Sequence, residues 1–486
     1  MVNDHNCIII YDDREILNSD IKAYVGTEHY GDIVYRGHSL SQKFQSIIPS
    51  VNLQNFYHLK DDASLLLLKS DLSTNANRLN ASVFIILSKA VTDEFNHLKS
   101  LIDRLQFARE DFVDRPKKPL ITFFSSINTL FSRWHLFENN QNLLSDSLLD
   151  EMRKIKSINL LDLSKINDFL SFARTSSQSR HFNNLGFDNF YYTKSSSDHS
   201  KIYSEYTFYN LAPEHLRPWL VQPFDFKKEK SKSSYRMIRY YVPDLSFQWI
   251  NNAFTENNFE EFINRIIFFI NKRASKNCSM LDSEILINNI FIKKTEKRIN
   301  QFLTMNEGKA VNDLLKNANG IGLEEIYNQY TSIFLEFKKK FMTKNLVIGH
   351  GDLCFSNILY EKNIFLLKFI DPRGAETENQ LWDHPIYDLA KLSHSILGDY
   401  DFINNSLIRA DFSEDGLFKL SHYEKKSDNL KILFTNKISQ MGIDLKIIRI
   451  AEASLFLSML PIHIDYPNKT LAFILRAKEI LDEVQF

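Results

Sequence analysis

Between Leu346 and Gly374 the chain carries three residues that transfer of a phosphoryl group needs. Asp352 follows a short apolar run and reads as a loop residue, where a carboxylate can take the proton of a substrate hydroxyl. Asn357 stands five residues later, where an amide oxygen can hold a magnesium ion. Ile358-Leu359-Tyr360 and Phe365 to Ile370 then read as a β-hairpin turning at Glu361-Lys362-Asn363, which returns Asp371 to the same loop. A carboxylate in that place can hold one or two magnesium ions against nucleotide phosphates.

Taken in order, His350-Gly351-Asp352, four residues, Asn357 and a hydrophobic strand ending in Ile370-Asp371-Pro372-Arg373-Gly374 form a set far more specific than any of its pairs. It resembles the catalytic core of the aminoglycoside phosphotransferase and choline kinase-like family, whose fold is protein-kinase-like. The resemblance implies Asp352 as catalytic base, Asn357 and Asp371 as magnesium ligands, and His350 as the residue that braces the loop. Upstream, Arg180-His181-Phe182-Asn183 is similar to an Arg-x-Phe-Asn motif of related proteins, which implies Arg180 and Asn183 in a nucleotide loop whose backbone N–H groups face phosphates. In this fold one lysine lies on the α- and β-phosphates and a helix carboxylate holds it, since an ammonium aimed at one point needs a fixed counter-charge. Lys194, at the end of the strand-like Phe190 to Lys194, and Glu205, in a helical stretch from Ser200 to Asn210, fit by type and spacing, with Lys201 as the lesser candidate. The same resemblance implies Tyr240, Tyr241 and Val242, before Pro243, as the hinge that would border an adenine ring.

Further along, Tyr387-Asp388-Leu389-Ala390-Lys391-Leu392 is similar to a run in which the aspartate ties its helix to the catalytic loop, which makes Asp388 a support. His394 reads as a satisfied packing histidine, and Cys354 as a small packing residue. Lys294-Thr295-Glu296-Lys297-Arg298 resembles a Lys-Thr-x-x-Arg element of surface-polysaccharide relatives and reads equally well as an ordinary charged helix face.

The elements that must position these groups set the rest of the reading. A chain of 486 residues exceeds a single core, which rarely grows beyond about 250 to 300 residues, so two or three domains are expected. Residues 1–165 read as an α/β domain, with Cys7 to Tyr11, Ser64 to Leu68 and Ala81 to Leu87 as buried strands and Thr92 to Arg109 as an amphipathic helix. Residues 166–245 read as the small lobe of an α+β two-lobed kinase-like domain, with Lys227 to Ser234 as a solvated hairpin tip. Residues 246–486 read as its mostly helical large lobe, with apolar stripes at Phe259, Phe262, Ile263, Ile266, Ile267 and Ile270 and from Leu323 to Phe341.

An α/β domain ahead of such a lobe pair resembles bacterial proteins of surface-polysaccharide synthesis in which a nucleotidyltransferase-like region precedes a phosphotransferase region. The first 170 residues hold only Gly26, Gly31 and Gly37, with no Gly-x-Gly pair, so a degenerate or structural domain is expected there. Asp12, Asp13 and Asp71 read as turn and cap residues.

Composition narrows the partners. Fifty-nine Lys and Arg against 60 Asp and Glu leave a formal charge of −1, so no field calls for nucleic acid or an acidic membrane. Three separated cysteines fit a reducing cytoplasm. The first residues lack a signal-peptide pattern, and no apolar run approaches the ~20 residues that span a bilayer. Together with the resemblance, this implies a cytoplasmic, ATP- and Mg2+-dependent phosphotransferase acting on a hydroxyl of a small polar acceptor, a sugar, polyol or amino alcohol, in capsule or lipopolysaccharide synthesis. The partners expected are that small molecule and a second copy of the chain or a polysaccharide-synthesis assembly. Two rivals stand beside it: a catalytically silent nucleotide-binding pseudokinase that scaffolds partners, and a bifunctional enzyme whose first domain transfers a nucleotidyl group.

Overall fold

The computed structural model describes residues 7–74, 81–92, 94–115, 118–140, 152–155, 158–175, 184–187, 190–421, 423 and 428–485. The chain divides into two compact units, Met1–Ser176 and Ser177–Phe486.

The first unit is built on a six-stranded mixed sheet in the order Phe56–Leu59, Cys7–Asp12, Ser82–Leu87, Ile121–Phe124, Phe112–Val113 and Arg153–Lys154. The first three strands run parallel, and Ile121–Phe124 is antiparallel to both of its neighbours. Both faces are covered, which is why the strands read as continuous apolar runs. Ile8, Ile10, Val83 and Ile85 pack to one side with Leu65, Leu68 and Leu72. Ile9, Tyr11, Phe84 and Ile86 pack to the other with Phe44, Leu98 and Ile102.

The run Ser64 to Leu68, expected as a strand, lies instead in the helix Asp62–Thr74, with Leu66 and Leu67 exposed. Leucine is among the better helix formers and brings no β-branch to favour a pleat. The Asp61 carboxylate accepts from Ser64 N at 2.8 Å and starts the first turn, so the local chemistry favours helix over strand.

The division between the units falls after Ser176, a helix later than the expected boundary at 165. Helix Ile166–Arg174 carries Phe169, Leu170, Phe172 and Ala173 on a buried face. Tyr24 stacks on Phe169 at 6.0 Å and Tyr35 on Phe172 at 4.4 Å, which binds this helix to the first unit. Asp12, Asp13 and Asp71 are all engaged locally. Asp12 pairs with Arg14 at 2.7 Å, buried Asp13 accepts from Gly31 N at 2.9 Å, and Asp71 accepts from the Tyr57 hydroxyl.

The second unit opens with a four-stranded antiparallel sheet in the order Asn184–Phe187, Tyr191–Ser196, Ser233–Ile238 and Pro223–Lys228. Helix His199–Leu211 buries Ile202 in a small core with Val221, Tyr235, Met237 and Leu359. Glu229 N donates to Lys232 O across the charged hairpin tip. Beyond it the unit is largely helical. Helix Glu256–Lys272 buries Phe259, Phe262, Ile263, Ile266, Phe269 and Ile270, and Leu323–Phe341 buries Leu323, Ile326, Tyr330, Ile333, Phe334 and Phe341. Helix Leu445–Ser458 is buried at every position from Ile447 to Ser458, the mark of a central core helix. Among the described residues no helix is long and apolar enough to cross a membrane.

Candidate active site

Lys194 lies within the strand Tyr191–Ser196, where the alternation of side chains turns it under the sheet. Its ammonium, 3 % exposed, meets Glu205 at 2.7 Å and Asp371 at 2.8 Å. Burial pulls this lysine toward the neutral form, but Asp371 and Glu205 outweigh burial and raise its pKa, so it stays charged. Glu205 comes from helix His199–Leu211 and is held in turn by the buried Tyr235 hydroxyl at 3.1 Å. Lys201, the lesser candidate for the phosphate lysine, sits in the first turn of that helix, where its N–H donates to the Asp198 cap.

Asp371 reaches Lys194 because the hairpin Ile358–Glu361 with Leu366–Phe369 brings its two ends together. Ile370 N donates to Asn357 O at 3.0 Å, so the residue before the first strand and the residue after the second are neighbours. Asp371 itself has φ of +55°, a left-handed conformation that Asp tolerates better than most residues. The following Arg-Gly-Ala segment is fastened to the glutamate helix. Ala375 N donates to Ser204 O at 2.9 Å, the Thr207 hydroxyl donates to Ala375 O, and a Cβ on Gly374 would lie 2.6 Å from the Ser204 hydroxyl.

The loop from Gly349 to Asn357 is held from two directions. Asp388, on helix Tyr387–Ile396 and 1 % exposed, accepts from His350 N at 3.2 Å and Gly351 N at 2.8 Å and pairs with Arg273 at 3.1 Å. His350 donates from Nε2 to Ile370 O at 3.0 Å and accepts from Asp352 N on Nδ1 at 3.3 Å. Burial lowers its pKa, so the imidazole is neutral and that tautomer serves both bonds. His350 therefore links the base loop to the strand that ends before Asp371.

Asn357 donates its amide N–H to Asp352 O at 2.9 Å and to Asp352 Oδ2 at 3.0 Å. With the nitrogen engaged on Asp352, the amide oxygen is left for other partners. Lys391 Nζ lies 2.8 Å from the other carboxylate oxygen, Asp352 Oδ1. Burial pushes the Cys354 thiol up to about 12, with Asp352 adding to the shift, so it is a packing residue and not a nucleophile.

The remaining positions divide. Arg180 and Asn183 lie outside the described residues. Tyr240 is half-buried, Tyr241 lies exposed under the Arg239 guanidinium at 4.3 Å, and Val242 is buried, all on the link from strand Ser233–Ile238 to helix Leu245–Ile250. His394 is packed, as expected, between Tyr400 and Phe456 at ring distances of 4.4 and 4.2 Å. Unlike a satisfied histidine, it has no hydrogen-bond partner on either ring nitrogen. Sequence reasoning missed the support given by Arg273 and Tyr235 and the pairing of Lys391 with Asp352. The i, i+3 spacing from Asp388 was the one available signal for Lys391, since it puts both side chains on one helix face.

The donors fit magnesium in kind. Among the described residues there is no cluster of three or more His, Cys, Asp or Glu side chains able to cage a metal. One amide oxygen and one carboxylate, Asn357 and Asp371, suit a hard cation that takes few protein ligands and completes its shell with phosphates and water. The Asp371 carboxylate already holds a cation, the Lys194 ammonium.

Beneath the loop lies a second ionisable group. Phe355 N donates to the Ser395 hydroxyl at 3.1 Å, and Asp401, fully buried, belongs to the neighbouring helix Tyr400–Asn404. Burial, with the fields of Asp244 and Asp399, raises the Asp401 pKa from 3.8 to about 7. From pH 4 to pH 7 the unfolded chain has already lost this proton while the folded protein keeps it, so stability falls as pH rises through that window and is level above it. Asp401→Asn is expected to raise the melting temperature at pH 8 by several degrees, an effect of a few kcal/mol at most. The gain should shrink to nothing near pH 4; an equal gain at both pH values would rule out the ionisation as its cause.

No family model matches the chain, and no curated protein matches it. Among solved structures it is similar to a thermostable mutant of an aminoglycoside phosphotransferase in complex with AMP-PNP and hygromycin B, at 9% identity and a TM-score of 0.40 over 63% of this chain and 92% of that one. It is also similar to an ethanolamine kinase of Plasmodium vivax, at 9% identity and a TM-score of 0.33 over 69% and 90% of the two chains. A choline kinase of Cryptosporidium parvum Iowa II gives 16% identity and a TM-score of 0.29 over 64% and 87%. At TM-scores below 0.5 these likenesses decide nothing about the site, whose chemistry follows from its own side chains.

Proposed function

We propose that the second unit is an ATP- and magnesium-dependent phosphotransferase that phosphorylates a hydroxyl of a small polar acceptor. One observation carries this reading. A buried lysine is clamped by Glu205 against Asp371, while Asn357 is bonded to Asp352 on the loop that the same hairpin closes.

In the reaction the acceptor oxygen attacks the γ-phosphorus, the bond to the ADP oxygen breaks, and the acceptor proton passes to Asp352. Asp352 orients the hydroxyl, and the link through His350 to Ile370 keeps it in register with Asp371. Lys194 holds the α- and β-phosphates, and the Tyr240–Val242 backbone borders the adenine. Asn357 and Asp371 would hold magnesium, which neutralises charge on the β- and γ-phosphates when bound. Positioning and preorganised charge supply most of the rate in such chemistry.

The polar acceptor, in this reading a sugar, polyol or amino alcohol, is a building block for capsule or lipopolysaccharide, and the enzyme works in the cytoplasm where ATP is made. Lys294, first residue of an element that resembles one lining the acceptor cleft of surface-polysaccharide relatives, donates to the Tyr387 hydroxyl at 3.0 Å, one helical turn from Lys391. We assign the first unit to docking or oligomerisation, in keeping with the local engagement of Asp12, Asp13 and Asp71.

The test is magnesium-dependent ADP release measured against a panel of sugars, polyols and amino alcohols. Acceptor-stimulated release by the wild type, abolished in Asp371→Ala, is expected. A protein that neither binds Mg-ATP nor releases ADP with any acceptor would refute the reading.

A further inference from the structure

We propose that Lys391 is a further catalytic residue of this site, its ammonium bridging Asp352 and the phosphoryl group in flight. The inference rests on the phosphotransferase reading above and concerns how the reacting group is neutralised.

Charge on a transferring phosphoryl group spreads over its three equatorial oxygens, and a cation beside them stabilises that state more than the ground state. From His350 to Glu361 the loop and the strand after it contain no lysine or arginine, so no cation of the loop can do this. The other cations around the loop are committed elsewhere. Arg273 is paired with Asp388, Arg373 with Asp383, and Lys194 with Glu205 and Asp371. Lys391 alone among these is aimed at the proposed base, 2.8 Å from Asp352 Oδ1.

Its placement is built in. Asp388 and Lys391 lie three residues apart on helix Tyr387–Ile396, and while Asp388 takes the N–H groups of His350 and Gly351, Lys391 takes the side chain of the next residue. The lysine side chain is 19 % exposed and Asp352 32 %, so the ammonium is held at the edge of the site, open to a ligand on one side. Burial works against its charge, but Asp352 more than offsets this and keeps it protonated. An acceptor oxygen bonded to Asp352 Oδ2 would present the phosphorus beside this ammonium. No proton leaves Lys391 during transfer; it contributes charge alone.

The test uses the whole protein and compares its affinity for Mg-ADP with that for Mg-ADP plus aluminium fluoride, a stand-in for the phosphoryl group. Wild type should bind the fluoride complex more tightly. Lys391→Met should lose roughly 100-fold of that preference, the size of effect seen when one preorganised donor is removed, with Mg-ADP affinity within about twofold of wild type. Lys391→Arg should retain part of it, and Lys391→Gln, which keeps a polar end beside Asp352, is read in the same way if the Met variant does not fold. An unchanged preference in Lys391→Met would overturn the inference, as would equal losses for both ligands or the absence of any preference in the wild type. In those cases the kinase reading would still stand on ADP release. A wild type that binds no Mg-ADP would remove both.

Discussion

Asp352→Asn is expected to cut acceptor-dependent turnover by about two to four orders of magnitude, the range lost with a positioned general base. Mg-ATP affinity should change little, because Lys194, Asn357 and Asp371 remain. The variant should also fold. The asparagine oxygen can still accept from Lys391, which loses its counter-charge, but the two side chains are 19 % and 32 % exposed, so the ammonium keeps access to solvent. One local adjustment follows from the geometry. Asn357 donates to Asp352 Oδ2, and an amide nitrogen placed there would oppose that N–H, so one of the two amides must rotate. Steady-state kinetics against nucleotide-binding calorimetry and a melting curve separate these effects. Full activity in Asp352→Asn would remove the proposed mechanism, whereas equal loss of activity and nucleotide affinity would make the carboxylate a structural residue.

The largest loss of stability is expected from Asp388→Ala. Asp388 and Arg273 have side chains 2 % and 5 % exposed, and removing one partner of a buried pair leaves an uncompensated charge at a cost of about 3–5 kcal/mol. The same substitution orphans His350 N and Gly351 N, so the loop loses its anchor and turnover should fall with stability. The strand end and helix approach so closely that a Cβ on Gly349 would lie 2.1 Å from Asp388 Oδ2, which leaves no room for a larger replacement. Urea unfolding followed by tryptophan fluorescence suits the measurement, because Trp219, Trp249 and Trp382 of the four tryptophans lie in the second unit. Adding Arg273→Leu should recover part of the stability by removing the unpaired charge, yet recover no activity. A loss below about 1 kcal/mol in Asp388→Ala would show that the pair contributes no more than an exposed salt bridge.

Groups whose mutual placement is local were legible from residue order alone. His350, Asp352 and Asn357 share one short loop, and a hairpin with a short turn can only return Asp371 to its own starting point. Spacing along the chain is then nearly spacing in space. The apolar stripe of Leu323–Phe341 was legible for a related reason, since a helix of five turns repeats its pattern often enough to be read. Lys194 and Glu205 were legible as candidates only, because a strand and a helix linked by two residues can pair such side chains in several ways.

Other contacts came only from how the chain folds back on itself. Arg273 reaches Asp388 from 115 residues away and Lys391 reaches Asp352 from 39 residues away, and nothing in chain order encodes either contact, whereas the support from Asp388 was implied by the resemblance. Tyr235 became the support of Glu205 through the pairing of two antiparallel strands with a helix across them. The leucine run at Ser64 to Leu68 was ambiguous because a short apolar run suits a buried strand or a helix face equally, and the Asp61 cap with packing of Leu65 and Leu68 resolved it. Helix Ile166–Arg174 joined the first unit because its aromatic face found Tyr24 and Tyr35 there. Apart from the Asp61 cap, which is local, the deciding free energy in these cases comes from groups distant in sequence, which is the information that a linear pattern does not hold.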